Sequence, residues 1–354
     1  MPDLSSLLSG GGAVAQPVDR RIVRQSMTYK ATVTGTLVGR AFGASGSGGL
    51  THGMGCATGA GAGEVVDFVV AVSAGDNIVF SMGAGGAAVT RTTAGQTDGN
   101  DGAGTTITGP NGLSITIAGG KKGLAGPMSA GTPLAGGAGG TGGTGGASHR
   151  TGGRGGNIAN CNGGIVTGGG APNLTTTMTS DATRGGDVTV APQPGGSSTA
   201  TGGGSPGGRG ADFTGAGSLG VTAGAGMGGN AIDGGDAAAG KCGPNILGQR
   251  SAAAVTAISA ATAPFGLDLS GNGADATNAA GPGGGGKGSP GGTHADVAPG
   301  IFGAFGGLLN GASGQVGSTS VPIYGAPGGQ YGTGTSTTLK GCDAVVFLAL
   351  YPKA

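Results

Sequence analysis

Residues 136–157 read GGAGGTGGTGGASHRTGGRGGN. Gly136, Gly139, Gly142 and Gly145 each open a triplet of two glycines and one other residue. The phase slips by one across Ser148–Thr151, and Gly152 and Gly155 open two more triplets. A period of three fits neither an α-helix nor a strand, whose periods are 3.6 and 2. It fits the left-handed extended helix with three residues per turn. Two glycines per turn leave two edges of such a helix bare, so neighbours can approach closely, while the third residue lines the outer edge. Gly142 is therefore expected against a neighbour and Thr144 outward, with Ser148–Thr151 as the turn between two helices. The expected fold is mainly β plus irregular: a small antiparallel β-domain followed by a bundle of polyglycine-II-type helices, with little α-helix.

Composition agrees with an unusual interior. The 354 residues include 92 Gly and 17 Pro, above the roughly 25–30% that marks aperiodic low-complexity chains. Collagen needs Gly at every third position in strict register, whereas the glycines here come in pairs and in short, interrupted runs. Disorder usually brings high net charge and few aliphatic residues; here the net charge is +1, charged residues are 9% and hydrophobic residues 36%. Aromatics are 3% and Trp is absent, so side chains alone make a thin core for this length. Backbone pairing has to offset the cost of ordering glycine, about 0.5–1 kcal/mol per residue relative to Ala, through N–H···O bonds and weaker Cα–H···O contacts.

The same numbers narrow the function. No basic stripe is present, which argues against nucleic acid. No run of 18 apolar residues exists, so no membrane span is expected. No cationic region precedes an apolar one at the N-terminus, so no signal peptide is expected. Cys56, Cys161, Cys242 and Cys342 form no CxxC pair and read as buried free thiols.

In chain order, residues 1–27 are expected to form a docking arm for a partner protein, with a frayed terminus as the alternative. Leu4, Leu7 and Leu8 are followed by Arg20, Arg21 and Arg24 among Val18, Ile22 and Val23, an amphipathic docking strand. Residues 28–120 form the β-domain. Tyr29, Ala31 and Val33 alternate with polar residues. Val65–Val72 and the alternating Ile78, Phe80 and Met82 flank Ser73-Ala74-Gly75-Asp76 as a hairpin. Thr105–Thr108 and Leu113–Ile117 flank the turn Gly109-Pro110-Asn111-Gly112. Gly43–Gly63 and Gly83–Gly104 are excursions from this domain. Residues 121–340 are the glycine bundle, with Pro172–Arg184 and Lys241–Ala280 as loops at its ends. Residues 341–354 carry a strand, Ala344–Tyr351, that returns to the β-domain.

The runs Gly63-Glu64-Val65-Val66, Gly75-Asp76-Asn77-Ile78-Val79-Phe80, Gly83-Ala84-Gly85-Gly86 and Gly102-Ala103-Gly104-Thr105-Thr106-Ile107 resemble the glycine-rich domain of bacteriophage tail-fibre and tail-tip proteins. The later tracts resemble the glycine-helix sandwich of T-even-type tail-fibre tip adhesins. The resemblance runs from about Thr28 onward, and the β-domain ahead of the tracts is larger here than in the adhesins. It implies a virion tail protein made in the host cytoplasm. It also implies variable loops that bind a bacterial surface receptor, protein or polysaccharide, and docking to other phage tail proteins through the arm. A single cap and a homotrimer both remain open.

Receptor-binding candidates are Tyr324 and Tyr331, which sit among Gly and Pro with little core to hold them. Beside them stand the polar loop Asn173–Thr177, with Thr175, Thr176 and Thr177, and the pair Gln249 and Arg250. Aromatic faces suit sugar rings and protein loops alike. Catalytic patterns are weak. Gly203-Gly204-Ser205-Pro206-Gly207 fits G-x-S-x-G, which glycine abundance produces by chance, and Pro206 stands where a helix should start. Gly281–Lys287 and Gly235–Lys241 fit G-x-x-x-x-G-K but lack the following Ser or Thr. His52, His149 and His294 have no clustered ligand partners in the sequence. The expectation is a non-enzyme without cofactor or metal. Two rivals stand beside the adhesin: a structural tail or spike component with the bundle as rigid spacer, and an ice-binding protein, since glycine-helix bundles also occur in a springtail antifreeze family.

Overall fold

The computed structural model describes residues 16–52, 55–127, 133–159 and 340–353. It also describes the short pieces 165–167, 181, 187–190, 199–201, 221–222, 265, 308–309, 326, 330–332 and 336–338. Within them the architecture is mainly antiparallel β-sheet with almost no helix. Nine strands build a sandwich: β1 (Asp19–Val23), β2 (Met27–Lys30), β3 (Gly35–Phe42), β4 (Val65–Val72), β5 (Asn77–Ser81), β6 (Thr105–Thr108), β7 (Ser114–Ile117), β8 (Ser148–Arg150) and β9 (Val345–Pro352). A five-stranded sheet has the order β1-β9-β3-β4-β8, and a four-stranded sheet the order β7-β6-β5-β2.

Alternation explains why these residues pair as they do. Tyr29, Ile78, Phe80, Ile107, Ile115 and Ile117 face inward from the smaller sheet and pack on Leu37, Ala41, Val66, Phe68, Val70, Val346, Leu348 and Leu350 of the larger. Burying each such side chain contributes about 1.5–3 kcal/mol. The larger sheet is buried on its second face as well, where Val38, Phe42, Val65, Val345 and Phe347 are at most 2% exposed. Phe265, one of the aromatics flanking the glycine tracts, is fully buried there with its ring 5.8 Å from Phe347. Burial on both faces is why β4 and β9 read as nearly continuous apolar runs. Gly39 interrupts β3 because the Phe68 ring occupies the space where its Cβ would be.

Three local expectations change. β4 and β5 do not form a hairpin: β4 pairs with β3 and β8, and β5 pairs with β2 and β6. The turn Ser73–Asp76 is present, with Asp76 N–H bonded to Ser73 O and Gly75 at φ +94°. It carries the chain from one sheet to the other, anchored by Ala31 N–H to Asp76 O and Gly75 N–H to Ala31 O. Second, the stretch read as part of a docking arm supplies β1, an edge strand in register with β9 from Asp19↔Leu350 to Val23↔Val346. Third, Ser148–Thr151 is not the turn after the glycine triplets. Ser148–Arg150 pairs with Val65–Asp67. The reversal lies before it, where Gly142, Gly145 and Gly146 take φ of +89°, +78° and +73°. Gly142 has open space where its Cβ would be, so it does not pack on a neighbour; Thr144 is exposed.

The glycine-rich segments between the strands are joined by backbone hydrogen bonds spaced by three. Gly43, Gly46 and Gly49 donate to the carbonyls of Glu64, Gly61 and Thr58. Thr58, Gly61 and Glu64 in turn donate to Leu124, Lys121 and Ala118, and Gly120 and Gly123 donate back to Ala44 and Ser47. Gly137 and Gly140 donate to Gly59 and Ala62, while Gly152, Gly155 and Ile158 donate to Gly140, Gly137 and Leu134. Gly341 and Ala344 donate to Gly86 and Gly83. Segments 43–49 and 58–64 are buried throughout, although their side chains are almost all absent or small. Backbone amides fill this interior, and their mutual bonds remove the desolvation cost that such burial would otherwise carry. The excursions at 43–63 and 83–104 therefore belong to the same network as 118–124, 134–142 and 151–158.

Burial also repeats by three. Gly136, Gly137 and Gly140 are buried while Ala138 and Thr141 are exposed. Gly152, Gly153, Gly155 and Gly156 are buried between the half-buried Thr151, Arg154 and Asn157. Cys56 is disulfide-bonded, against the expectation of a free thiol. Cys342 is free and buried, and burial pushes its thiol far above the ordinary range.

Candidate functional site

Most expected contact residues lie outside the described residues: Leu4, Leu7, Leu8, Asn173, Thr175, Thr176, Thr177, Gln249, Arg250 and Tyr324. Tyr331 lies on the strand Gln330–Gly332, which runs parallel to Leu50–His52 with Tyr331 opposite Thr51. Arg20 and Arg21 lie on β1, exposed, and Arg24 is exposed just beyond it. Arg20 donates to Gln16 Oε1 at 3.3 Å and Arg21 pairs with Asp19 at 3.1 Å, so both are engaged locally on the sheet edge.

Two features not singled out in the sequence stand out. The first is a charge cluster on the second face of the larger sheet. Arg40 on β3 donates Nε to Asp67 Oδ1 at 2.7 Å and Nη2 to Oδ2 at 3.1 Å, a bidentate fork from strand to neighbouring strand. Arg150 on β8 brings Nη2 to 3.1 Å from Asp67 Oδ2 but outside hydrogen-bonding geometry, and its Nη1 donates to Ser148 Oγ at 3.0 Å. The three charged residues are 5%, 7% and 7% exposed. Burial alone would raise the Asp67 carboxyl. The hydrogen bonds and charge of Arg40, then the charge of Arg150, outweigh it and hold the group below the usual carboxylate range. The signal was present: Asp67 inside VVDFVVAV and Arg40 inside TLVGRAF are charges in apolar strands, and a buried charge requires a partner.

Beside it, Glu64 closes the junction between sheet and glycine segments. Its carboxylate accepts Ala118 N–H at 2.9 Å, Gly143 N–H at 3.1 Å and a contact from His149 Nδ1 at 2.9 Å. His149 Nε2 lies against Gly145 O. With both ring nitrogens engaged, this pair positions the reversal at 142–147 and has no nitrogen left for a substrate.

The second feature is the outer face of the smaller sheet. One row across it reads Thr144, Thr116, Thr106, Ser81, and the next reads Ser114, Thr108, Val79, Thr28. All eight are exposed. Thr116 and Thr144 hydroxyls lie 2.9 Å apart. Strand spacing sets the rows of neighbours at about 4.8 Å, and β-branching stiffens each threonine at χ1. Lys30, exposed and two residues on from Thr28, is the charge that β2 places on this face.

Among the described residues no group of three or more His, Cys, Asp or Glu is placed to hold a metal ion. No helix among them is long and apolar enough to cross a membrane. A comparison with protein-family models and with curated protein sequences finds no match.

Proposed function

We propose that this chain is a bacteriophage tail protein, in a tail fibre or tail tip, that binds the host surface receptor and has no catalytic role. The observation that carries the proposal is the three-residue spacing of backbone bonds among the glycine segments. On this reading the segments are polyglycine-II-type helices, and the bundle continues through residues 121–340. Support comes from spacing, which matches three residues per turn, and from burial, which leaves every third residue outward at 136–141 and 151–157. Support also comes from crowding: a Cβ at Gly102 would fall 2.7 Å from the carbonyl oxygens of both Ala44 and Ser45. A rigid bundle anchored in a sandwich suits the display of loops to a receptor. Residues 1–27 would dock to other tail proteins, with β1 now assigned to the chain's own sheet.

The test is adsorption. Purified protein should bind host cells and block phage attachment. Replacing Tyr324 and Tyr331 by Ala should weaken adsorption at least about tenfold, equivalent to about 1.4 kcal/mol, with the fold intact. Unchanged adsorption by that variant and by a swap of the Asn173–Thr177 loop would favour the structural spacer. The hydroxyl rows on the smaller sheet support ice binding as a second reading, because they form a regular, nearly uncharged face of small side chains. Thermal hysteresis abolished by Thr106→Lys and Thr116→Lys would establish it, and no hysteresis would remove it.

A further inference from the structure

Asn111 and Gly112 are the central residues of the turn between β6 and β7, which Leu113 N–H closes onto Pro110 O at 3.1 Å. Their φ angles are +55° and +73°, the positive values that an Asn-Gly pair accepts most readily in such a turn. Both residues are exposed, and nothing lies within 4 Å of where a Gly112 Cβ would stand. One hydrogen bond restrains the Asn111 side chain: Nδ2 donates to Ala71 O at 2.8 Å. Ala71 is on β4 of the larger sheet and the turn belongs to the smaller, so this bond ties the two sheets at one end. The Asn111 amide is also next to a backbone nitrogen able to attack it. A side chain on the following residue hinders that attack, and Gly has none. Among the described residues Asn77, Asn100 and Asn157 precede Ile78, Asp101 and Ile158, so Asn111 alone has a following glycine.

We propose that Asn111 is a site of spontaneous deamidation, and that the reaction releases the turn from the larger sheet. The Gly112 backbone nitrogen gives its proton to hydroxide and bonds to Asn111 Cγ. The Cγ–Nδ2 bond breaks, and the amide nitrogen takes a proton from water and leaves as ammonia, which regenerates hydroxide. Water then opens the cyclic imide at one of its two carbonyls. One opening gives aspartate, the other isoaspartate, whose main chain runs through the former side-chain carbons. In sum one water is consumed and one ammonia released, with no oxidant and no enzyme. Either product lacks the donor to Ala71 O, and its carboxylate is an acceptor only. Isoaspartate also adds a methylene to the main chain of a tight turn whose length sets the register Thr108↔Ser114. The reaction needs nothing from the loops assigned to adsorption.

The test incubates the full chain in alkaline buffer beside a mildly acidic sample and follows intact mass, released ammonia, and peptide maps with isoaspartyl methylation. The expected result is a gain of about 1 Da with an equivalent of ammonia, mapped to Asn111 as aspartate and isoaspartate and formed faster in alkali. Asn111→Gln must close a larger ring, so its rate at this position should fall at least about tenfold. The converted protein and the Asn111→Asp variant should each show a folding equilibrium about tenfold less favourable than wild type. Asn162, Asn272 and Asn310 also precede glycine but lie outside the described residues; conversion there with Asn111 intact would overturn the proposal. So would no conversion at all, or equal rates in wild type and Asn111→Gln. Conversion at Asn111 with an unchanged unfolding midpoint would overturn the release of the turn. If Asn111→Asp does not fold, the converted wild type supplies the stability comparison.

Discussion

Replacing Gly140 by Ala tests whether contacts between bare backbones hold the glycine segments together. A Cβ at Gly140 would stand 2.7 Å from Glu64 N, 3.1 Å from Ala118 C and closer still to Ala118 O. Glu64 N and Ala118 O are themselves hydrogen-bonded at 3.0 Å, so the added methyl wedges against both partners of a neighbouring bond. Relief requires segment 134–142 to move off, which strains Gly140 N–H to Ala62 O at 2.8 Å, Gly137 N–H to Gly59 O at 2.8 Å and Gly152 N–H to Gly140 O at 3.1 Å. At about 1 kcal/mol net for each bond lost, the change costs about 2–4 kcal/mol. Two controls bracket it. Gly142→Ala meets nothing within 4 Å but keeps φ +89°, so backbone strain alone should cost about 1–2 kcal/mol. Ala138→Ser sits on the exposed edge and should stay within about 0.5 kcal/mol. Denaturant midpoints with unchanged m-values measure all three. A Gly140→Ala midpoint matching that of Ala138→Ser would refute close backbone packing as the source of stability.

Two further outcomes follow from the sandwich. Truncation after Lys340 removes β9, the strand between β1 and β3, and should give aggregation through two exposed apolar edges; a soluble product with the same unfolding transition would show that β9 is dispensable. Asp67→Asn should cost about 3 kcal/mol at neutral pH by removing the carboxylate charge that faces the buried Arg40 and Arg150 guanidiniums. Because folding lowers the Asp67 carboxyl, its contribution is present above the ordinary carboxylate range and lost as pH falls through the lower folded value. The stability gap between wild type and Asp67→Asn should therefore hold from pH 7 to about 4 and close only below that; a gap that closes above pH 5 contradicts the assignment.

Local chemistry was legible where one residue type decides a conformation. Gly109-Pro110-Asn111-Gly112 predicts a turn, and Asn111 adopts φ +55° between β6 and β7. The apolar run Ala344–Tyr351 predicts a strand, and one runs over Val345–Pro352. The pairing of β4 and β5 was not legible. Val65–Val72 and Asn77–Ser81 look like hairpin arms because a four-residue turn joins them, but nothing in either strand says which sheet it enters. β3 is hidden in the sequence because Gly35 and Gly39 break its pattern; Gly39 is there to admit the Phe68 ring. The ion cluster escaped because its members come from positions 40, 67 and 150, and only the sheet order brings them together.

The position of β9 also has a consequence in time. Its partner β3 ends at Phe42, roughly 300 residues earlier, while loop-closure entropy grows only with the logarithm of that separation. The separation therefore bears little on stability and heavily on order of assembly. At roughly 5–20 residues per second of synthesis, about 15–60 s pass between the emergence of β3 and that of the strand that covers its edge. During that interval β1 lacks its partner β9, and Leu37 and Phe42 lie on a half-built surface. Slow translation through the glycine codons would prolong that exposure. Expression yield should therefore depend on elongation rate and on holding chaperones more than on the stability of the finished fold.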